Sequence, residues 1–538
     1  MPNKNSKNTL QLDLSVLLLK MDPAWISFLD AEGISWATVN SDDLIKNHTA
    51  SVFVLPKGTP KSIAENCYAL ALKGACLICE PDTEPVMHLD EIHYCKMPYD
   101  DQNFCGLEDK NNSRAIRVKR GKLGQGTVFC LPFCLRPLWE SWGRARRFVN
   151  VGNGQLIYEE MSAIVKKNVR RVVIEIIKQA FFRQGLPFTH KWYFPGKNRS
   201  VLCFRGDADG GPKENFKCWL DAVRPFSTST SVFFCTSKYT HKKDLIVAAA
   251  NAGLEVGSHN HWHIVFPDRF TNSKSLIRAE TVLNSADQHP TGFVAPAFFW
   301  HPSLYHLLEQ RGYLYASSFR VNHDGIPYFP VVNGRIGKVL EIPYHCLGDR
   351  FPVSNIPLDG EISRRFFETL IKKKYSAGEP MFLYGHPDIK GRMGTSPELV
   401  RFILETAMSY SDVKPLQLSP YAKWWRQRTD LKVESFYDVK SSRVGFRNES
   451  RLSPKLPDLM VRVEFPNGES YLADPNLYAP KGLPRDEMVT FSPLYLPNAY
   501  DVGEVVYKRP DLITPWHSWR NRRMIRRFAE AYWQVYRS

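Results

Sequence analysis

No part of this 538-residue chain holds the about 18 uninterrupted apolar residues that a membrane-crossing helix needs. The apolar segment nearest the N-terminus, residues 16–19, is too short for the core of a signal peptide, and residues 1–8 before it are polar. The expected compartment is therefore the cytoplasm. No glycine-rich phosphate loop follows the early strands, which leaves a nucleotide role without support. None of the common nucleic-acid modules is present, so nucleic acid is not an expected partner. The 11 cysteines are an odd number spread over a long chain, which excludes a small disulfide scaffold. Cys76 and Cys79 form a CxxC, but no second pair stands at zinc-ribbon spacing. Both lie in the apolar run Ala75-Cys76-Leu77-Ile78-Cys79, which reads as a buried strand. Internal repeats and low-complexity tracts are also lacking.

What is present is a globular composition, with 43% hydrophobic and 13% aromatic residues. The length suggests two to four domains. The net charge of +16 favours anionic partners such as acidic glycans or anionic lipid.

Residues 9–150 read as a small α/β domain. Val52-Phe53-Val54-Leu55 is a strand, 61–73 has helical spacing with Ile63, Tyr68, Ala69 and Leu72 on one side, and 75–79 is the next strand. Strand, helix, strand at these lengths is a βαβ unit with a parallel sheet, and the pattern is flavodoxin-like or amidotransferase-like. Residues 128–132 form a late strand of it. Residues 151–195 read as a helical connector, with one long amphipathic helix over 155–185. From 196 to 428 strands and helices alternate. The predicted strands are 200–204, 230–235, 254–257, 292–295, 314–317, 339–343 and 380–384. Helices are predicted over 241–252, 273–286, 302–311, 359–376 and 396–409. That is the rhythm of a (β/α) barrel. Residues 429–538 read as a small β module, with a hairpin turning at Pro466-Asn467-Gly468, followed by a basic, aromatic helix over 516–536.

Three segments at predicted strand ends carry chemistry, where barrel active sites are built. In Arg205-Gly206-Asp207-Ala208-Asp209, two carboxylates two apart face the same way on an extended chain. One can bind a cation while the other stays free as a base. In His259-Asn260-His261-Trp262-His263, three of only 15 histidines fall within five residues. On a helical turn, His259 and His263 share a face within reach of one metal, and His261 points elsewhere. Gly385-His386-Pro387 ends the last strand. One aspartate and two histidines are a three-ligand set for a divalent cation, and a free carboxylate with a further histidine supplies a base and an acid for hydrolysis.

The order Asp-x-Asp, His-x-x-x-His, Gly-Phe-x-x-Pro at Gly292 to Pro296, and Leu-x-x-His at Leu383 to His386 resembles the polysaccharide deacetylase (NodB-homology, carbohydrate esterase) superfamily. The resemblance covers about residues 200–428, and the 300–319 and 421–428 segments also look like that family's. It implies a distorted (β/α) barrel and metal-dependent removal of acetyl from N-acetylated sugars. Asp207 would be the general base and His386 the general acid. Asp209, His259 and His263 would hold one divalent ion, with zinc expected and cobalt, nickel and iron also used in the family. Pro296 lines the groove, and the Ala297 N–H helps hold the oxyanion. Val294 stands where the family often has arginine, Ser318 where many relatives have aspartate, and Asn260 where serine or threonine is common. Arg205 is the candidate replacement for the missing guanidinium. Two alternatives stay open: a hydrolase of another C–N amide or cyclic imide, and a glycan-binding or assembly protein without catalysis. The expected partner is a glycan or polysaccharide, with acidic or lipid-linked substrates compatible with the charge. Residues 516–536 offer arginine and tryptophan anchors for peripheral contact with the inner face of a membrane.

Overall fold

The computed structural model describes residues 11–38, 52–85, 89–98, 115–152, 155–345, 347–448, 458–475, 489–490 and 505–506. Among these, no helix is long and apolar enough to cross a membrane. The predicted helix over 516–536 lies outside the described residues.

The chemistry-bearing part is built on eight parallel strands: β1 (Ser200–Ala208), β2 (Thr230–Phe234), β3 (Glu255–Ser258), β4 (Gly292–Val294), β5 (Tyr315–Ser317), β6 (Leu340–Glu341), β7 (Met381–Gly385) and β8 (Val413–Pro415). They run in the order β6-β5-β4-β3-β2-β1-β7, with β8 paired to the start of β1. All seven predicted strands are present, and β8 is an addition. β1 is buried along its whole length, as a strand inside a helix-covered parallel sheet must be. Helices Lys243–Asn251, Arg269–Asn284, Pro302–Gln310, Glu361–Ala377 and Pro397–Met408 match the predicted ones. Lys213–Val223 is a further helix after β1, and Leu418–Asp430 closes the set. Between β6 and β7 the curved sheet has no ladder. There the His345 N–H donates to the Phe382 carbonyl at 3.0 Å, and the Tyr344 ring stacks on Phe382 at 5.4 Å. This is a distorted (β/α) barrel.

Ahead of it, the strands Val16–Leu18, Trp36–Thr38, Val52–Leu55, Cys76–Cys79 and Gly126–Cys130 pair in parallel. Numbered along the chain, their spatial order is 2-1-3-4-5, the flavodoxin-like order. A hairpin, Asp90–Pro98 with Ala115–Leu123, extends the sheet antiparallel beyond the fifth strand. Alternation gives the sheet two apolar faces. Leu17, Phe53, Leu77, Cys79 and Val128 pack with helix Lys61–Leu72 on one face. Val16, Val52, Cys76, Ile78 and Phe129 join the larger core with helix Lys166–Phe182 on the other. Cys76 and Cys79 thus sit on opposite faces as buried thiols, which suits packing and prevents shared ligation. On helix Lys61–Leu72 the inward stripe is Ala64, Cys67, Tyr68 and Ala71, while Leu72 is turned out.

Two sequence expectations need correction. The predicted helix over 155–185 begins only at Lys166, and Gln155–Ser162 is a strand paired antiparallel with Arg144–Gly152. Ile157, Glu159 and Met161 alternate inward there, a period of two that the helical reading overran. Nor do the strands after 430 form a sheet of their own. Val433–Asp438, paired with Arg443–Asn448, takes Gln11–Asp13 as its other neighbour. Val461–Glu464, paired with Ser470–Ala473 across the turn at Gly468, takes Phe188–Lys191.

Candidate metal centre and its acid–base groups

Arg205, Asp207 and Asp209 alternate along β1 and its exit, so they fall on one side of the strand. Beyond Asp209 the chain turns sharply at Gly210 (φ 101°). Gly211 then packs so closely on the Asp388 carbonyl that a Cβ would come within 1.7 Å of its oxygen. The Asp388 carboxylate accepts from the backbone N–H groups of Asp209 (3.2 Å), Gly210 (2.6 Å) and Gly211 (2.8 Å). Tyr239 donates its hydroxyl to the same carboxylate. Asp388 therefore fixes the loop that presents Asp209.

His259 follows β3 directly. The segment to His263 is not the helical turn read from the i, i+4 spacing but an irregular loop. It bends at Asn260, whose φ of 64° lies in the left-handed region that asparagine tolerates. The Asn260 side chain accepts from the His261 N–H (3.0 Å) and the Ser275 hydroxyl (2.6 Å), and donates to the Ile264 carbonyl (2.8 Å). That clamp brings the His259 and His263 rings to 5.0 Å. His261 turns away and pairs with the Thr236 hydroxyl at 3.0 Å.

Asp209 Oδ1 stands 3.3 Å from His259 Nε2 and 3.1 Å from His263 Nε2. Two ligands on a tetrahedral zinc with bonds of 2.0–2.1 Å would stand about 3.3 Å apart. The ligand atoms all lie within 4.8 Å of one another, and among the described residues this is the one His/Cys/Asp/Glu group of that geometry. His259 Nδ1 faces the Val294 carbonyl at 2.9 Å. A neutral imidazole donating there turns the Nε2 lone pair toward Asp209. Oδ1 is buried without a hydrogen-bond donor, so lone pairs converge on a point that suits a cation.

Asp207 is buried beside this group. Arg205 faces it with two contacts, Nε to Oδ1 at 2.9 Å and Nη2 to Oδ2 at 3.0 Å. Arg205 also donates to the Ser317 hydroxyl at 2.7 Å and lies against the rings of Tyr344 and Tyr384, 4.4 and 5.0 Å from their centroids. Arg205 thus brings a guanidinium to Asp207 from within the same strand.

His386, just past β7, has its Nε2 3.8 Å from Asp209 Oδ2. Its Nδ1 meets Asp349 Oδ1 at 2.8 Å, and the buried Asp349 carboxylate also accepts from the backbone N–H of His386 (2.7 Å) and Met393 (3.2 Å). Arg392 donates to the Asp349 carbonyl and lies 3.4 Å from its carboxylate. Burial alone would lower the His386 imidazole, but the carboxylates of Asp349, Asp209 and Asp207 together carry it up to about 9.

Asp207, Asp209, His259, His263 and His386 are therefore neighbours, and Arg205 is locked to Asp207. Pro296 and Ala297 begin the loop after β4, which also supplies the carbonyl for His259. Ala297 is exposed and left-handed at φ 49°, a strained conformation of a kind that collects at functional sites. The sequence reading missed Asp349 and Asp388. Asp388 had a faint signal, because it follows His386 by two residues as Asp209 follows Asp207. Asp349 had none, since its partner lies 37 residues away.

No protein-family model matches the chain, and no curated protein does. Solved structures do. A probable polysaccharide deacetylase from Pseudomonas aeruginosa is 20% identical, over 44% of this chain and 93% of its own, with a TM-score of 0.38. The PuuE allantoinase has the same identity and coverage, with a TM-score of 0.37. A family 4 carbohydrate esterase from Streptomyces lividans, in complex with acetate, is 14% identical over 40% of this chain and 92% of its own, with a TM-score of 0.29.

Proposed function

We propose that this polysaccharide-deacetylase-like chain is a metal-dependent hydrolase that removes acetyl from an N-acetylated sugar of a glycan. The observation that carries the reading is the convergence of Asp209, His259 and His263 at ligand spacing beside a second buried carboxylate that is held by Arg205 and not by the histidines. A divalent cation held there, with zinc the best match to one carboxylate and two imidazoles, supplies Lewis-acid polarisation of a carbonyl and acidifies water.

The remaining chemistry belongs to the chain. Asp207, oriented by Arg205, takes the proton of the attacking water. The Ala297 N–H, set by its left-handed backbone, donates to the carbonyl oxygen as negative charge develops on it. His386, steered by Asp349, gives its Nε2 proton to the departing sugar nitrogen. Arg205, which faces Asp207 and Ser317, offers a guanidinium in place of one at position 294, and this favours the active reading over a non-catalytic one.

The test is Asp207→Asn. It should abolish acetate release from N-acetylglucosamine oligomers, while zinc content by elemental analysis stays near that of the parent. Retention of most activity would overturn the base assignment. Release of product from cyclic imides and none from the oligomers would move the substrate to that class.

A further inference from the structure

Asp388 stands two residues past His386, on the segment that leaves β7, and its carboxylate reaches the turn that presents Asp209. It is fully buried, and four donors meet its two oxygens. Oδ1 accepts from the Asp209 N–H at 3.2 Å. Oδ2 accepts from the N–H groups of Gly210 (2.6 Å) and Gly211 (2.8 Å), and from the hydroxyl of Tyr239, which is fully buried as well. The Asp388 backbone takes part in the same contact. Asn215 donates its side-chain amide to the Asp388 carbonyl at 3.1 Å, and Gly211 packs against that carbonyl.

We propose that Asp388 is a positioning residue that locks the metal-bearing turn of Asp209 to the acid-bearing segment of His386, and that this lock needs a carboxylate. The inference rests on the metal and acid roles proposed above. A carboxylate has about four lone-pair sites and no hydrogen, so it can serve every one of these donors. An asparagine amide offers one acceptor oxygen, and its NH2 is itself a donor. With the amide oxygen toward Gly210, Gly211 and Tyr239, the NH2 meets the Asp209 N–H head on. With the amide turned over, it meets the other three. In both cases buried donors face each other unpaired, and the turn has to move to relieve them. Asp209 rides on that turn, and its two oxygens serve both functions. Oδ1 lies 3.3 and 3.1 Å from the Nε2 atoms of His259 and His263, and Oδ2 lies 3.8 Å from His386 Nε2. A shift of the turn therefore disturbs the ligand set and its spacing from the acid together.

The experiment compares Asp388→Asn with the parent in the full chain, each stripped of metal and then titrated. Three quantities are read: the zinc Kd by chelator competition, the visible absorption of the cobalt-loaded protein, and kcat and KM on N-acetylglucosamine oligomers at saturating zinc. Circular dichroism shows whether the fold is kept. Asp388→Asn should weaken zinc binding roughly tenfold to a hundredfold, the usual loss when a partner behind a metal ligand is removed, and should alter the cobalt spectrum. At saturating zinc its kcat should fall while KM holds. A residue that merely supports the fold would lower thermal stability and leave the zinc Kd and the cobalt spectrum as in the parent. A folded Asp388→Asn with the parent's zinc Kd and cobalt spectrum therefore overturns the proposal. If Asp388→Asn does not fold, Gly211→Ala decides by the same criterion. A Cβ there would stand 1.7 Å from the Asp388 carbonyl oxygen and push the turn off Asp388 while leaving the carboxylate in place. A parent that binds neither zinc nor cobalt overturns the metal reading and this one with it. A parent that binds them without turnover counts against the hydrolase reading alone, and the zinc Kd still decides this one.

Discussion

Arg205 shows how much a single side chain can decide. It is buried with Asp207, and the pair is enclosed by Ser317, Tyr344 and Tyr384. Replacing Arg205 by methionine strands a carboxylate in that enclosure, and breaking a buried pair from one side typically costs about 3–5 kcal/mol. Chemical denaturation of Arg205→Met should show a loss of that order. Its turnover should fall with it, because Asp207 loses the guanidinium that orients it. Loss of stability with full activity would separate Arg205 from the chemistry. The five residues that the structure brings together, Asp207, Asp209, His259, His263 and His386, were legible in sequence because they stand at or just past strand ends, where short-range spacing carries information. Asp349 and Asp388 were not, since their partners are distant in the chain and ordinary loop aspartates look the same.

Among the elements, the barrel strands were legible because central parallel strands are apolar on both faces and stand out as runs. The helix Lys213–Val223 was overlooked although Phe216, Trp219, Leu220 and Val223 follow a helical period. The shape of the His259–His263 loop was not legible, because its bend depends on tertiary hydrogen bonds to Asn260. The partners of the late strands were hidden for a similar reason, since pairing across most of the chain leaves no local mark. One of those partners, Phe188–Lys191, buries His190 between the rings of Phe188 and Trp192. Burial, with help from the Arg462 charge, pushes the His190 imidazole down to about 3. In the unfolded chain it titrates near 6.5. Above that pH both states are neutral at His190 and nothing is lost. As pH falls below it, the unfolded chain takes up a proton that the native one refuses, so stability drops progressively toward pH 3. Urea unfolding between pH 7 and 5 should show this fall, and His190→Gln should flatten it. An unchanged slope in the variant would remove His190 as the cause.

For the whole molecule, the parts on either side of residue 196 share one core. Val16, Val52 and Ile78 of the first sheet belong to the same apolar cluster as Leu202 and Phe382 of the barrel. Polar ties cross as well: Lys167 pairs with Glu379, Ser27 donates to the Phe329 carbonyl, and Glu159 pairs with Arg350. A fragment of residues 196–428 should therefore be poorly soluble or partly unfolded and lack turnover, even though it contains every residue of the metal and acid–base group. Circular dichroism and acetate release on the fragment would check this. A folded, fully active fragment would show that the remaining residues are dispensable for catalysis.

The thiols give this arrangement a built-in readout. Cys76, Cys79 and Cys130 are shut inside the first sheet and Cys203 and Cys235 inside the barrel, while Cys218 is open to solvent. A thiol-reactive dye added to the native protein should label Cys218 at once and reach those five only when their surroundings part. If the common core binds the two regions into one cooperative unit, Cys79 and Cys203 will become reactive together as denaturant rises. If each region opens by itself, mass spectrometry of the labelled peptides will record two separate clocks.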